Sequence, residues 1–169
     1  REALQQLQGE GLVVVVPKRG AVVRVPDRNL VAQIFDIRIA LEGALARRAA
    51  LVATSADLKQ LRKVMDRHKA ERADREAHMR HHLNFHQIIN AISGNAEAIT
   101  ILDRHNQIIF CLRRSVGFGP HRIDDIVADH EAIYGAIAVH EERGAERAAQ
   151  GHAARAKADM LSRMVDNDN

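Results

Sequence analysis

Ten histidines in 169 residues, against five aromatic residues of other kinds, are the chemistry-bearing feature of this sequence. Imidazole binds metals and titrates near neutrality, so the positions of these ten side chains decide what they can do. Four fall on apolar helical stripes. His82 and His86 stand four apart and project from one face of a helix, beside Phe85, Ile89 and Ile92. His130 shares a stripe with Ile126, Val127, Ile133, Tyr134 and Ile137, and His152 lies among Ala145, Ala148, Ala149 and Ala156, with Met160 beyond. A pair at i,i+4 suits two ligands of one ion, and two more imidazoles on interior faces could complete the site. Three or four imidazoles in a dry interior suit a divalent transition metal, Zn or Ni foremost, better than Ca or Mg, which take oxygen. The competing reading is that each is a hydrogen-bonded core histidine. His78 and His81 read as pointing away from the pair, His105, His121 and His140 as surface, and His68 as the ambiguous end of an apolar stripe.

Arg38 is the second chemical feature. It lies inside an apolar pattern, next to Ile37 and Ile39, so its guanidinium is either paired with Glu42, one turn on, or available to grip a carboxylate bidentately. No Ser/His/Asp spacing resembles a nucleophile elbow, and Gly117 and Gly119 follow no strand that would make them a phosphate loop. Arg113 and Arg114 read as solvating a helix end, and Asp129 as facing solvent or the hairpin unit.

The elements that must hold these groups are mostly helices. From residue 28 onward, Pro120 is the only proline and strand signals vanish. Leu30, Ile34, Ile37, Leu41, Ala44, Leu45 and Ala49 follow helical spacing. Thr54-Ser55-Ala56-Asp57 breaks and restarts the helix, with Ser55 as the expected N-cap. A second helix carries Leu58 to His68, a third His78 to Ile92, a fourth about 96–114, a fifth 123–142 and a sixth to about 165. Ser93-Gly94-Asn95 and Gly144 are the expected breaks. Six helices predict an antiparallel α-helical bundle over residues 27–169, with a frayed tail at 166–169.

Residues 1–26 differ. Arg1 to Leu7 has the pattern of the later part of an amphipathic helix, and the absence of an initial Met leads us to expect upstream residues. Leu12–Val16 and Ala21–Val25 flank Pro17-Lys18-Arg19-Gly20 as a β-hairpin with a basic tip. A helix followed by such a hairpin matches the last part of a winged helix-turn-helix. The whole chain has 25 cations against 22 anions, net +3, and residues 1–28 carry +2 of it. Cys111 stands alone, so an intrachain disulfide is excluded and a reducing compartment is indicated. No apolar run approaches the roughly 20 residues of a membrane span, and no secretory signal pattern opens the chain.

These segments together resemble GntR-family transcription regulators of the FadR subfamily. Arg1-Glu2-Ala3-Leu4 with Leu7, Gly11-Leu12-Val13 and Pro17-x-Arg19-Gly20-Ala21-x-Val23 are similar to the family's recognition-helix end and wing. Asp36-Ile37-Arg38-x-x-Leu41-Glu42 resembles the start of its ligand-binding FCD domain. Asn84-Phe85-His86-x-x-Ile89, Asp129-His130-x-x-Ile133-x-x-Ala136-Ile137 and Ala149-x-x-His152 resemble its later signatures. The resemblance implies a cytoplasmic homodimer in which an all-helical domain binds a divalent metal and a small organic acid and controls operator DNA binding. It implies His86, His130 and His152 as metal ligands. The family's fourth ligand is an Asp, and here that position is His82, which removes one negative charge. Arg38 would hold a ligand carboxylate that the metal could also bind. Arg1 would contact DNA, and Lys18, Arg19 and Gly20 would approach the DNA backbone at the wing. Two other readings are a metal-dependent enzyme whose His cluster activates water, and a metal-free structural helical module.

Overall fold

A computed structural model describes residues 2–9, 13–23, 26–119 and 121–164; Arg1 and the tail 165–169 lie outside the described residues. Helix α1 (Glu2–Gly9) leads into strands β1 (Val13–Val16) and β2 (Gly20–Val23), followed by α2 (Arg28–Val52), α3 (Ser55–Ala70), α4 (Arg75–Ser93), α5 (Ala96–Val116), α6 (Arg122–Ala138) and α7 (Glu142–Arg163). The last six helices are the expected bundle.

The hairpin pairs antiparallel, with Val13 opposite Val23 and Val16 opposite Gly20. Gly20 thus belongs to the strand, and the loop is Pro17-Lys18-Arg19. Arg19 N–H donates to the Val16 carbonyl at 3.0 Å, and Lys18 sits at φ 65°, so Pro17 and Lys18 are the two corners of a tight turn. Such a turn with proline first favours glycine or asparagine second. Lysine in that left-handed region costs about 1 kcal/mol, and its side chain stands exposed at the hairpin apex with that of Arg19.

Side-chain caps delimit four of the bundle helices. Asp27 accepts from Leu30 N–H at 2.7 Å and starts α2. Thr54, not Ser55, caps α3. Its hydroxyl accepts from Asp57 N–H, and the Asp57 carboxylate accepts in return from Thr54 N–H at 2.8 Å. This reciprocal box places the cap one residue earlier than expected. Thr54→Ala should therefore lower stability by about 1 kcal/mol, read as a shift in the urea midpoint; an unshifted midpoint would show that the box holds nothing. Asp74 accepts from Glu76 and Ala77 N–H, so α4 begins at Arg75, three residues before the expected start at His78. Gly94 at φ 66° ends α4, and Asn95 caps α5. The break before α7 lies at residues 139–141, and Gly144 is already within that helix. There, His140 adopts φ 55° and its Nδ1 lies 2.7 Å from the Ala50 carbonyl.

The main core joins Ala46, Ala49 and Ala50 of α2, Leu61, Val64 and Met65 of α3, Phe85, Ile88 and Ile89 of α4, Ile133 and Ile137 of α6, and Ala145 and Ala149 of α7. Small residues let α2 and α7 run in close contact. A Cβ added to Gly43 would lie 2.7 Å from Gln150 Cγ. The buried stripe of α2 passes through Val31, Ile34, Phe35, Leu45, Ala46 and Ala49, with Arg38 and Glu42 at its centre. Ile37 and Ala44, expected on that stripe, are exposed. Among the described residues, no helix is long and apolar enough to cross a membrane.

Candidate metal and acid site

Helices α4, α6 and α7 bring His82, His86, His130 and His152 together. One ring nitrogen from each lies within 4.8 Å of the others, and the six ring-to-ring separations span 4.7–5.5 Å. His86 Nε2 and His152 Nε2 are 3.2 Å apart. Two nitrogens on one tetrahedral ion, each bonded at about 2.0–2.1 Å, stand about 3.3 Å apart. The dimensions fit a metal with small closing movements of the wider pairs.

The hydrogen bonding fits as well. His130 is fully buried, and among the described residues neither of its ring nitrogens has a partner, nor does His82 Nδ1. A buried unpaired nitrogen is costly, and a cation among the rings would take up one bare nitrogen of each ring. Asp129 Oδ2 lies 3.1 Å from His152 Nδ1. With the carboxylate accepting the Nδ1–H, the other nitrogen of the ring, Nε2, is the one turned toward His86. On the other side, His86 Nδ1 lies 3.8 Å from Glu42 Oε2. Carboxylates behind metal-facing imidazoles fix ring orientation and tautomer. Asp129 is therefore not turned to solvent: it is buried, receives Arg155 as well as His152, and is held at about 2 because these hydrogen bonds and charges outweigh the effect of burial. This positioning residue was not legible in the sequence.

Burial drives His82, His86 and His130 toward the neutral form that a metal requires. It lowers His86 to about 4, aided by His152 and Arg38 against the opposing pull of Glu42. His82 and His130 fall well below the usual range, again chiefly from burial and then from neighbouring rings. Burial would raise Glu42, but Arg38, His86 and His152 together lower it, so it stays ionised.

Two further histidines, His78 and His81, depart from expectation, and His68, ambiguous by sequence, joins them. His68, His78 and His81 are buried. His68 Nε2 lies 2.6 Å from His78 Nδ1, and His81 Nε2 lies 3.0 Å from Glu71 Oε2. His78 precedes His82 by four residues, so the i,i+4 rule that joins His82 to His86 joins His78 to the same row; that signal was present. His105 is half-buried, whereas His121 and His140 are exposed.

Arg38 is both paired and adjacent to open space. Its guanidinium meets Glu42 at 2.7 Å and Asn106 at 2.5 Å, while its Nε has no partner. It lines a cavity of about 60 Å³ with His82, His152, Phe35, Arg113 and Arg122. Arg113 does not solvate a helix end. It is buried, bonded to Asp159 at 2.5 Å and to the Gly117 carbonyl at 2.8 Å. Lys18, Arg19 and Gly20 sit apart from these groups on the hairpin, all exposed, and Arg1 lies outside the described residues.

Residues 33–155 match the FCD domain family. An uncharacterized HTH-type transcriptional regulator from the TAR-I ttuE-ttuC' intergenic region of Agrobacterium vitis is 39% identical over 51 residues, 30% of this chain and 30% of that protein. The chain resembles the structure of E. coli McbR/YncC with a TM-score of 0.86 at 16% identity, covering 97% of this chain and 84% of the other. It also resembles a putative transcriptional regulator GntR from Rhodococcus sp. RHA1, with a TM-score of 0.75 at 20% identity, over 98% and 80%. These two likenesses speak to the fold. The Agrobacterium and Rhodococcus proteins are described as transcriptional regulators, not as enzymes. Since the family match takes in most of the bundle and every member of the histidine cluster, the chain belongs to the FCD domain family.

Proposed function

We propose that this chain is the sensing part, with a piece of the DNA-binding part, of a ligand-responsive transcription regulator of the GntR/FadR type. Residues 27–169 bind a divalent metal and a small organic acid, and residues 1–26 are the end of a winged helix-turn-helix. The observation that carries the reading is His130, buried among three other imidazoles with no partner on either nitrogen, beside a cavity lined by Arg38.

His82, His86, His130 and His152 would hold the ion, with Zn or Ni favoured by an all-imidazole set. When bound, it supplies positive charge beside the cavity. The protein's own groups do the rest. Asp129 and Glu42 stand behind two of the rings, Glu42 and Asn106 steady Arg38, and the Arg38 guanidinium faces an acid with fixed, permanent charge. Because α2 carries Arg38 and follows directly on the hairpin unit through the Asp27 cap, an acid that draws α2 toward the cluster changes how the DNA-binding unit is carried. An effector shifts such an equilibrium only by binding the two arrangements unequally. In a cytoplasmic homodimer, two wings with Lys18, Arg19 and Gly20 at their tips, and Arg1 nearby, would approach a palindromic operator.

A metal-dependent enzyme would need a free general base beside the ion. Asp129 is committed to His152 and Arg155, and Glu42 to Arg38. Metal analysis of tag-free protein, followed by a thermal-shift screen of organic acids with and without Zn or Ni, tests the proposal. Protein that purifies without metal and gains no thermal stability from either ion would sink it. Asp129→Asn should weaken zinc binding about 10–100-fold, read by competition with a chromophoric chelator; an unchanged affinity would remove Asp129 from the site.

A further inference from the structure

We infer that the acid taken by this cavity is a dianion, and that Arg122 receives its second acidic group. The inference rests on the acid-binding reading above and specifies the ligand class. Arg122, at the start of α6, is 4% exposed, yet its guanidinium is poorly satisfied. Among the described residues its acceptors are Asp129 Oδ2 at 3.4 Å and the His152 carbonyl at 3.5 Å, both at the outer limit of a hydrogen bond, and its Nε has none. Asp129, the carboxylate that would neutralise it, bonds more closely to His152 and Arg155. A buried guanidinium whose one carboxylate is distant and shared with two closer partners has room for a further anion.

Arg122 lines the same cavity as Arg38, whose Nε is also buried without a partner. The third cavity arginine, Arg113, already has its own carboxylate: its Nη1 donates to Asp159 at 2.5 Å and to the Gly117 carbonyl at 2.8 Å. Two incompletely satisfied guanidinium groups from α2 and α6 therefore share one enclosed space. Each can take a carboxylate through charge-assisted bonds. About 60 Å³ holds roughly four to six waters at 10–15 Å³ each, which limits the ligand to a short chain.

The approach is cationic as well. A groove of about 760 Å³ between α4 and α5 carries Arg75, Arg80 and Arg114 against the single acid Glu76. It abuts the inner cavity across Met79, Leu83 and Phe110, which line both. Like-signed walls concentrate anions at such a mouth.

Calorimetric titration of the zinc-loaded chain with malonate, succinate and glutarate, each against its monoacid of equal length (propionate, butyrate, valerate), tests the assignment. At least one diacid should bind ten times more tightly than its monoacid. Arg122→Gln should shrink that preference below threefold, and Arg122→Lys should restore part of it. Equal affinity for diacids and monoacids in the unmutated protein overturns the inference, as does a diacid preference that survives Arg122→Gln. If Arg122→Gln fails to fold, the unmutated comparison and Arg122→Lys decide. Monoacid binding that is lost in Arg38→Gln, without any gain for diacids, removes the second arm alone. Binding of neither series removes the acid-binding reading and this inference with it.

Discussion

Replacing His130 with leucine is expected to leave the metal-free protein as stable as before, or more stable by up to about 2 kcal/mol, while abolishing the stabilisation that zinc brings. The two effects come from one side chain. His130 is fully buried, stacked on Phe85 at 4.0 Å, and surrounded by His68, His82, His86 and His152 at 5.0–5.3 Å. Neither ring nitrogen has a partner. An unsatisfied buried polar group costs about 1–3 kcal/mol, and leucine removes it while still filling the space against Phe85. With metal, the same change deletes a ligand, and the zinc affinity should fall roughly a hundredfold or more, beyond the 10–100-fold typical of an outer-shell change. A core histidine with a structural job predicts the reverse sign in the metal-free state, because its removal would break bonds and open a cavity. His152→Leu supplies the contrast within the cluster. It would strip Asp129 of a hydrogen bond at 3.1 Å and should destabilise the metal-free protein. Urea midpoints for the two variants, taken with chelator and again with zinc, decide the matter. If His130→Leu is markedly destabilising under chelator, the cluster is a structural core and not a metal site.

The sequence carried the helical body, the hairpin and the four converging histidines because each is encoded by a local period. His82 and His86 are neighbours by helix geometry alone, and an imidazole amid isoleucines on α6 or alanines on α7 has one face on which to lie. What stayed hidden depends on which elements pack together. His78 and His81 look polar and peripheral until α3 and Phe118 cover that end of α4. Asp129 is adjacent to His130 in sequence, yet its partners His152 and Arg155 come from α7. The break before α7 shows no glycine or proline at 139–141. It coincides with the positive φ of His140 and its contact with the Ala50 carbonyl, a tertiary bond. On α2, Ile37 drew the apolar stripe toward itself, whereas the buried face runs through Arg38 and Glu42, whose charges cancel across 2.7 Å. This charged pair thus interrupts the hydrophobic pattern at the place where the pattern alone would have supplied a leucine.

The same packing should make the metal-free protein lose stability well above the pH at which carboxylates protonate. In an unfolded chain, histidine takes up its proton near pH 6.5. In the fold, burial and the adjacent rings hold His68 down to about 3, and burial with nearby arginine charge holds His78 at about 4; His86 likewise stays near 4. Between pH 6.5 and about 4 the unfolded state therefore binds more protons than the folded one, so stability is complete above 6.5 and falls as the solution is acidified. Each imidazole kept neutral in the fold contributes a slope of about 1.4 kcal/mol per pH unit. Even one such group removes about 3 kcal/mol over two units, a large part of an ordinary domain stability of about 5–15 kcal/mol. Asp129 acts in a different window. Its carboxyl lies at about 2 in the fold, so the stability it contributes is present above its unfolded value near 4 and is lost only below that. Melting temperatures of chelator-treated protein from pH 8 to 4.5 should be flat down to about 6.5 and then drop. A profile that stays flat to pH 5 would mean that these imidazoles take up protons in the fold at the same pH as in the unfolded chain, so that burial does not hold them neutral.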